Sequence, residues 1–318
     1  MINRVGVAVV GVGNNTSALV QGIAFYRASG SLVGIHRPEI DGLGVGDIDF
    51  VAAFALSAGK VGKDLTEAIF AAPNNFPRLQ TETPPSGVLV QRGLTDATGI
   101  DRIAEALAGT EVVLYSAPSG LPEVARAYAE AALRAGAAFV NTTSDVVARD
   151  PELVERFEAA GLPLLGDDLT SQFGTSIVHR TLLGLLEERG LTLASSYQVN
   201  LGGTEDFRNL AENGGSKKQS KVNALNADRS TADKVQMAPI GYLSQLGSEK
   251  VAYLNIEARG WGDTSVSLDV KLKVHDPSGG AGVTIDLVRM AAGALRAGRG
   301  GYAGEAAALL KSPPGTAG

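Results

Sequence analysis

The chain has 318 residues, 44% of them apolar, and its 28 basic and 34 acidic side chains give a formal net charge of −6. That length predicts about two domains with a sizeable core and excludes wholesale disorder, while the acidic balance opposes nucleic-acid binding. With no cysteine and 3 histidines, disulfides, thiol nucleophiles and thiolate metal sites are excluded, and a His-based metal site has little room.

Residues 5–10 form a β-branched apolar run that ends in Gly11-Val12-Gly13 and reads as a buried strand. The run stops at a turn rather than an Ala-x-Ala cleavage site, and no apolar stretch reaches the ~18 residues of a membrane span, so the expectation is a cytoplasmic protein without a membrane partner. Helical spacing follows over 16–26, then a Gly-rich polar loop over 27–47 and a second buried strand over 48–54. A short helix is expected at 65–70, strands at 87–91, 112–115 and 139–141, and helices at 100–107, 122–135 and 151–160. Asp150 and Pro151 open the last of these as cap and first residue. Strand and helix alternate throughout, which argues for an α/β fold: a Rossmann-like, doubly wound parallel sheet covered on both faces.

Gly11-x-Gly13 lies directly between the first strand and the first helix, where a pyrophosphate meets backbone N–H groups and the favourable end of a helix dipole. The third glycine of the usual pattern is Thr16. An NAD site also expects an acidic residue at the end of the second strand to bind the ribose hydroxyls. That strand runs on as Phe54-Ala55-Leu56-Ser57, without a carboxylate, and Lys60 follows. A cation there would suit a 2′-phosphate, so NADP stays open beside NAD.

Gly11-Val12-Gly13-Asn14-Asn15-Thr16-Ser17, the stretch Phe50-Val51-Ala52-Ala53-Phe54 with Lys60-Val61-Gly62, and Gly166-Asp167-Asp168-Leu169 together resemble the myo-inositol-phosphate synthases. So do Asn200-Leu201-Gly202-Gly203 with Asp206 and Asn209, Ser216-Lys217-Lys218-Gln219-Ser220-Lys221, and Lys311-Ser312-Pro313-Pro314, in order along nearly the whole chain. The resemblance implies an isomerase of inositol biosynthesis with tightly held NAD. Such enzymes oxidise a hydroxyl of glucose 6-phosphate, enolise the ketone, close a carbocycle by an intramolecular aldol step and reduce the ketone again. It implies a Rossmann-like domain of residues 1–168 and 278–318, an inserted α/β catalytic and oligomerisation domain of 169–277, and a homotetramer.

Residue by residue, the resemblance implies that Lys217, Lys221, Lys250, Lys311, Asp206 and Asp276 are catalytic. It implies that Gly11, Gly13, Asn14, Asn15, Thr16, Ser116 and Asp168 bind the cofactor, that Asn200, Gly202, Gly203 and Asn209 bind substrate, and that no protein-built metal site is required. Ammonium groups suit this chemistry, because an aldol closure builds negative charge on oxygen twice. Lys217 and Lys221 share a face if their segment is helical. His179 and His275 are expected to be structural or surface residues. The sequence departs from the family pattern at Ala55, at Thr170 (commonly lysine) and at Thr204 (commonly asparagine). A relative that closes a five-membered ring from fructose 6-phosphate, and a simple NAD(P)-dependent dehydrogenase, are the alternative readings.

Overall fold

The computed structural model describes residues 4–79, 84–213 and 234–314. The elements in chain order are β1 (Val5–Val10), α1 (Asn14–Ser29), the short β2 (Glu39–Ile40) and β3 (Leu43–Gly44), β4 (Ile48–Ala55), α2 (Leu65–Ala68), β5 (Val90–Arg92), α3 (Ile100–Ala106), β6 (Val112–Tyr115), α4 (Pro122–Ala135), β7 (Ala138–Asn141), α5 (Pro151–Ala159) and β8 (Pro163–Leu165). They continue with α6 (Thr175–Glu188), β9 (Thr192–Gly202), α7 (Glu205–Asn213), β10 (Val235–Met237), β11 (Gly241–Tyr242), β12 (Glu249–Arg259), β13 (Ser265–His275), α8 (Asp276–Arg296) and β14 (Gly301–Tyr302).

Seven strands form one sheet in the order β14-β8-β7-β6-β1-β4-β5, and every pairing in it is parallel. Strand β1 has β4 on one side and β6 on the other, so the chain order reverses there, and the crevice above the carboxyl end of β1 is where an open α/β sheet binds ligands. Alternation along β1 divides the core between the two faces. Val5, Val7 and Val9 pack with Leu19 and Ile23 of α1 and Val283 and Leu287 of α8. Ala8 and Val10 pack with Ile103 of α3, Val124 and Tyr128 of α4, and Leu153 of α5.

Local chemistry sets the helix ends. Pro122 opens α4, and Gly136 closes it at φ 72° with its N–H turned back to Ala132 and Leu133. Asp150 caps α5 through the N–H groups of Glu152 and Leu153. The segment read as loop over 27–47 contains the β2–β3 pair, because α8 underlies it: the buried Arg289 donates to the carbonyls of Pro38 and Leu43. The strand expected from residue 87 begins at Val90, since Leu65 N–H already takes the Val88 carbonyl.

A second sheet, in the order β10-β9-β12-β13 with β11 also beside β9, is built between β8 and α8. Strands β9, β12 and β13 run antiparallel. The chain returns through α8, which packs against α1 and strands β6, β7 and β8. An antiparallel bridge between Leu169 and Leu310 then ties the end of the chain to the point where it leaves the first sheet.

Candidate functional site

A cleft of about 490 Å³ opens over the carboxyl ends of β1, β4 and β6, and the second sheet closes its far side. The glycine turn forms its floor. Gly11 has φ 95°, and a Cβ there would lie 2.5 Å from the Ser116 carbonyl oxygen. Glycine is therefore required by the close approach of the turn to the end of β6. At Gly13 a Cβ would meet nothing within 4 Å, so the space above it belongs to the cleft, and Gly13 starts α1 with no side-chain cap on its first N–H groups. This open cradle at a helix start fits a dinucleotide pyrophosphate. Thr16 is buried beneath it, and its hydroxyl donates to the Gly11 carbonyl at 2.6 Å. Its side chain braces the turn where a third glycine would stand.

Two residues of the cradle, Asn74 and Asn75, carry no motif signal, and Lys60, read in the sequence as a cation after the second strand, joins them. Lys60, buried, donates to the Val12 carbonyl at 2.6 Å and to Asn74 Oδ1 at 2.7 Å. Burial pushes its ammonium pKa down to about 8. Asn14 Oδ1 accepts from the N–H groups of Asn75 and Phe76, while Asn75 Nδ2 reaches across to the Gly203 carbonyl at 3.1 Å. The 74–76 loop thus couples the glycine turn to the end of β9. These contacts span 61 and 128 residues, beyond the reach of any local pattern. At the ribose end, Ala55, Leu56 and Ser57 line the cleft without a carboxylate, and Arg92 donates to the Leu56 carbonyl at 3.0 Å.

Ser116 lines the cleft with its Oγ 2.9 Å from Thr142 Oγ1. Thr142 spends its one hydroxyl proton on the Tyr115 carbonyl at 2.8 Å, so Ser116 is the donor of the pair and keeps its lone pairs for the cleft. Nearby, Asp145 accepts from the N–H groups of Gly120 and Leu121, which fixes the 116–121 loop at the start of α4.

The opposite wall carries the ammonium groups. Lys250, on β12, lies 3.2 Å from Asp276 Oδ1 and over the Phe207 ring at 5.8 Å. Lys311 donates to Asp168 Oδ1 at 2.8 Å and to the Leu169 carbonyl at 2.6 Å. Lys250, Lys311, Asp206, Asp276, Asn14, Asn15 and Asn209 all line the cleft. Asn209 also donates to the Ser119 carbonyl at 3.0 Å, which holds α7 to the first sheet. Lys217 and Lys221 lie outside the described residues.

Other expected site residues stand behind the wall. Asp168 is fully buried and bears on the cleft through Lys311. Asn200 is buried and accepts from Thr175 Oγ1 and Gln198 Nε2. Gly202 and Gly203 are needed for packing: a Cβ would lie 2.4 Å from the Phe207 ring at Gly202 and 2.5 Å from the Gly247 backbone at Gly203. Thr170 is buried and its hydroxyl donates to the Leu309 carbonyl, whereas its neighbours Leu169 and Ser171 line the cleft. His179 is buried with Nε2 2.7 Å from Ser196 Oγ, and His275 Nε2 lies 3.2 Å from Ser248 Oγ. Among the described residues no group of three or more His, Cys, Asp or Glu is placed to hold a metal ion, and no helix is long and apolar enough to cross a membrane.

A family model described as myo-inositol-1-phosphate synthase matches residues 174–277, most of the segment that carries the second sheet. The chain is 41% identical to the inositol-3-phosphate synthase of Mycolicibacterium smegmatis, across 98% of its own length and 93% of the relative's. It is 39% identical to the inositol-3-phosphate synthase of Mycobacterium tuberculosis, across 98% and 91%. Among solved structures, Ari2 is 53% identical with a TM-score of 0.88, covering 98% of this chain and 93% of that one. A myo-inositol-1-phosphate synthase-related protein from Thermotoga maritima shares the fold at 22% identity, TM-score 0.78, over 98% and 93%.

Proposed function

From a chain that belongs to the myo-inositol-1-phosphate synthase family, we propose an NAD-dependent isomerase that cyclises glucose 6-phosphate to 1L-myo-inositol 1-phosphate. The observation that carries this reading is one cleft with two kinds of wall. A glycine cradle shaped for a dinucleotide forms one side, and the buried ammonium groups of Lys250 and Lys311 stand on the other.

Bound NAD supplies reversible hydride acceptance, so that a substrate hydroxyl becomes a ketone and is restored at the end. The rest of the work falls to the chain. Gly13 and the first N–H groups of α1 would hold the diphosphate in the turn that Gly11 closes, and the free lone pairs of Ser116 Oγ would suit a hydroxyl of the cofactor or substrate. Once the ketone has acidified its neighbouring carbon, loss of that proton places charge on oxygen; attack of the enolate carbon on the aldehyde places charge on oxygen a second time. Lys250 and Lys311 stabilise these charges. Asp276 and Asp168 orient the two ammonium groups. Lys217 and Lys221, carried over from the family, complete the set. The aldol step moves a proton and forms one carbon–carbon bond, and the hydride taken is returned, so the product is an isomer of the substrate.

The further alternative is a ketose phosphate such as fructose 6-phosphate closing a five-membered ring. It is favoured by Thr170, whose hydroxyl is turned to Leu309 where the family commonly carries a lysine. Incubation with NAD+ and each hexose phosphate, followed by NMR of the products, separates the two readings. A cyclitol phosphate from glucose 6-phosphate supports the first and one from fructose 6-phosphate the second. Stoichiometric NADH without a carbocycle overturns both in favour of a simple dehydrogenase.

The same reading places the protein in the cytoplasm as a homotetramer. An exposed edge supports self-association: β13 ends its sheet, and its residues from Ser265 to Val270 lie largely in solvent.

A further inference from the structure

Lys60 carries a buried positive charge without a matching negative one. Its residue exposure is 4%, and its ammonium donates to two neutral oxygens, Val12 O and Asn74 Oδ1. Among the described residues neither of its hydrogen-bond acceptors is a carboxylate, and burial is the cause of its lowered pKa. Charged groups on its own loop are engaged elsewhere: Lys63 pairs with Glu67 at 3.1 Å, and Asp64 accepts from Thr66, Ser86 and Gly87. The turn above it, the first turn of α1, the end of β4 and the 73–76 loop contain no titratable side chain. Arg92, on β5, is another cation. The other titratable groups that line the cleft are Tyr128, whose hydroxyl pKa burial pushes up to about 12, Glu205, Asp206, Lys250, Asp276 and Lys311.

Burying an unpaired charge is costly, and natural chains pair such groups or put them to use. An ammonium with three N–H groups and two protein acceptors keeps one donor to spare. Lys60 lines the cleft beside the open cradle above Gly13. We propose that Lys60 binds the cofactor: its ammonium, anchored to the Val12 carbonyl, is the counter-charge for a phosphate group of the dinucleotide. The inference rests on the dinucleotide reading of the cleft. The phosphate is the diphosphate bridge or, if the cofactor is NADP, the 2′-phosphate left room by the absent carboxylate at Ala55.

Titration calorimetry of the full chain with NAD+ and with NADP+, across ~pH 6.5 to ~9.5, tests this in the wild type and in Lys60→Met. In the wild type, binding is strong while Lys60 is protonated. As pH rises through about 8, Lys60 must take up a proton to pair with phosphate, so Kd rises by up to about tenfold per pH unit. In Lys60→Met the Kd at neutral pH rises about tenfold or more, the equivalent of one charge-assisted contact, and this component of the pH profile disappears. A loss shared by both dinucleotides assigns the diphosphate, and a loss confined to NADP+ assigns the 2′-phosphate; either supports the proposal. Unchanged affinity and profile in Lys60→Met overturn it and leave the cofactor reading standing. If the variant does not fold, the wild-type profile decides, and a flat one through pH ~8 overturns the proposal. Absence of binding by either dinucleotide overturns the cofactor reading as well.

Discussion

Lys311 Nζ lies 2.8 Å from Asp168 Oδ1 across 143 residues of sequence, and its second bond, to the Leu169 carbonyl, fixes the ammonium at the start of the segment that builds the second sheet. The pair is therefore both a seam of the fold and a wall of the cleft. Lys311→Met leaves the Asp168 carboxylate buried without this partner and is expected to destabilise the protein by about 3–5 kcal/mol. Lys311→Met combined with Asp168→Asn removes both charges and recovers most of that stability while cyclase turnover stays lost. Thermal unfolding and product NMR on the same samples check the split. Turnover restored together with stability would reduce Lys311 to a structural residue.

Lys250 offers the cleaner catalytic test, because it sits on a strand already held by β9 and β13. Lys250→Gln keeps a donor near Asp276 and loses the positive charge facing the cleft. If that charge stabilises developing oxyanions, kcat falls by about 10²–10³-fold with little change in thermal midpoint. A loss in KM alone would place Lys250 in binding rather than chemistry.

Asp64 makes a prediction about pH. It caps α2 and accepts five hydrogen bonds from Thr66, Ser86 and Gly87. Partial burial raises its pKa, but the bonds from Thr66 and Ser86 outweigh burial and hold it down to about 2. The folded value lies below the ordinary 3.8, so the stabilisation is complete above about pH 4 and is lost as pH falls toward 2. Asp64→Asn is expected to cost about 1–2 kcal/mol at neutral pH, and the gap to wild type narrows over that acid window in urea titrations at stepped pH.

The elements most legible in the sequence are those whose signals are local. Pro122 and Gly136 delimit α4 at the expected residues, and β6 matches its expected span. Strand ends that depend on partners drifted: β5 begins at Val90, and the supposed loop over 27–47 acquires a strand pair from Arg289, far along the chain. The same divide runs through the site. The glycine turn, the lysines on the cleft wall and Lys60 carry sequence signals, whereas Asn74 and Asn75 join the site only through folding. The family resemblance assigns Gly202 and Gly203 to substrate, and the structure packs them against Phe207 and Gly247. Small size serves close packing as readily as ligand approach, and the sequence alone does not distinguish the two.

That ambiguity yields a paired prediction at the turn itself. At Gly11 an added methyl would meet the Ser116 carbonyl and Ala117 nitrogen at 2.5 and 2.7 Å, in a backbone conformation with φ 95°. Gly11→Ala is therefore expected to destabilise the ligand-free protein by about 1–3 kcal/mol. At Gly13 the same methyl enters open space, and the φ of −94° is one any residue adopts. Gly13→Ala should leave the ligand-free thermal midpoint nearly unchanged and yet weaken NAD+ binding by about tenfold or more, because the methyl occupies the room through which phosphate approaches the N–H groups of α1. Thermal unfolding with and without NAD+ reads both quantities. A Gly13→Ala variant that binds NAD+ as tightly as wild type would move the diphosphate away from this cradle.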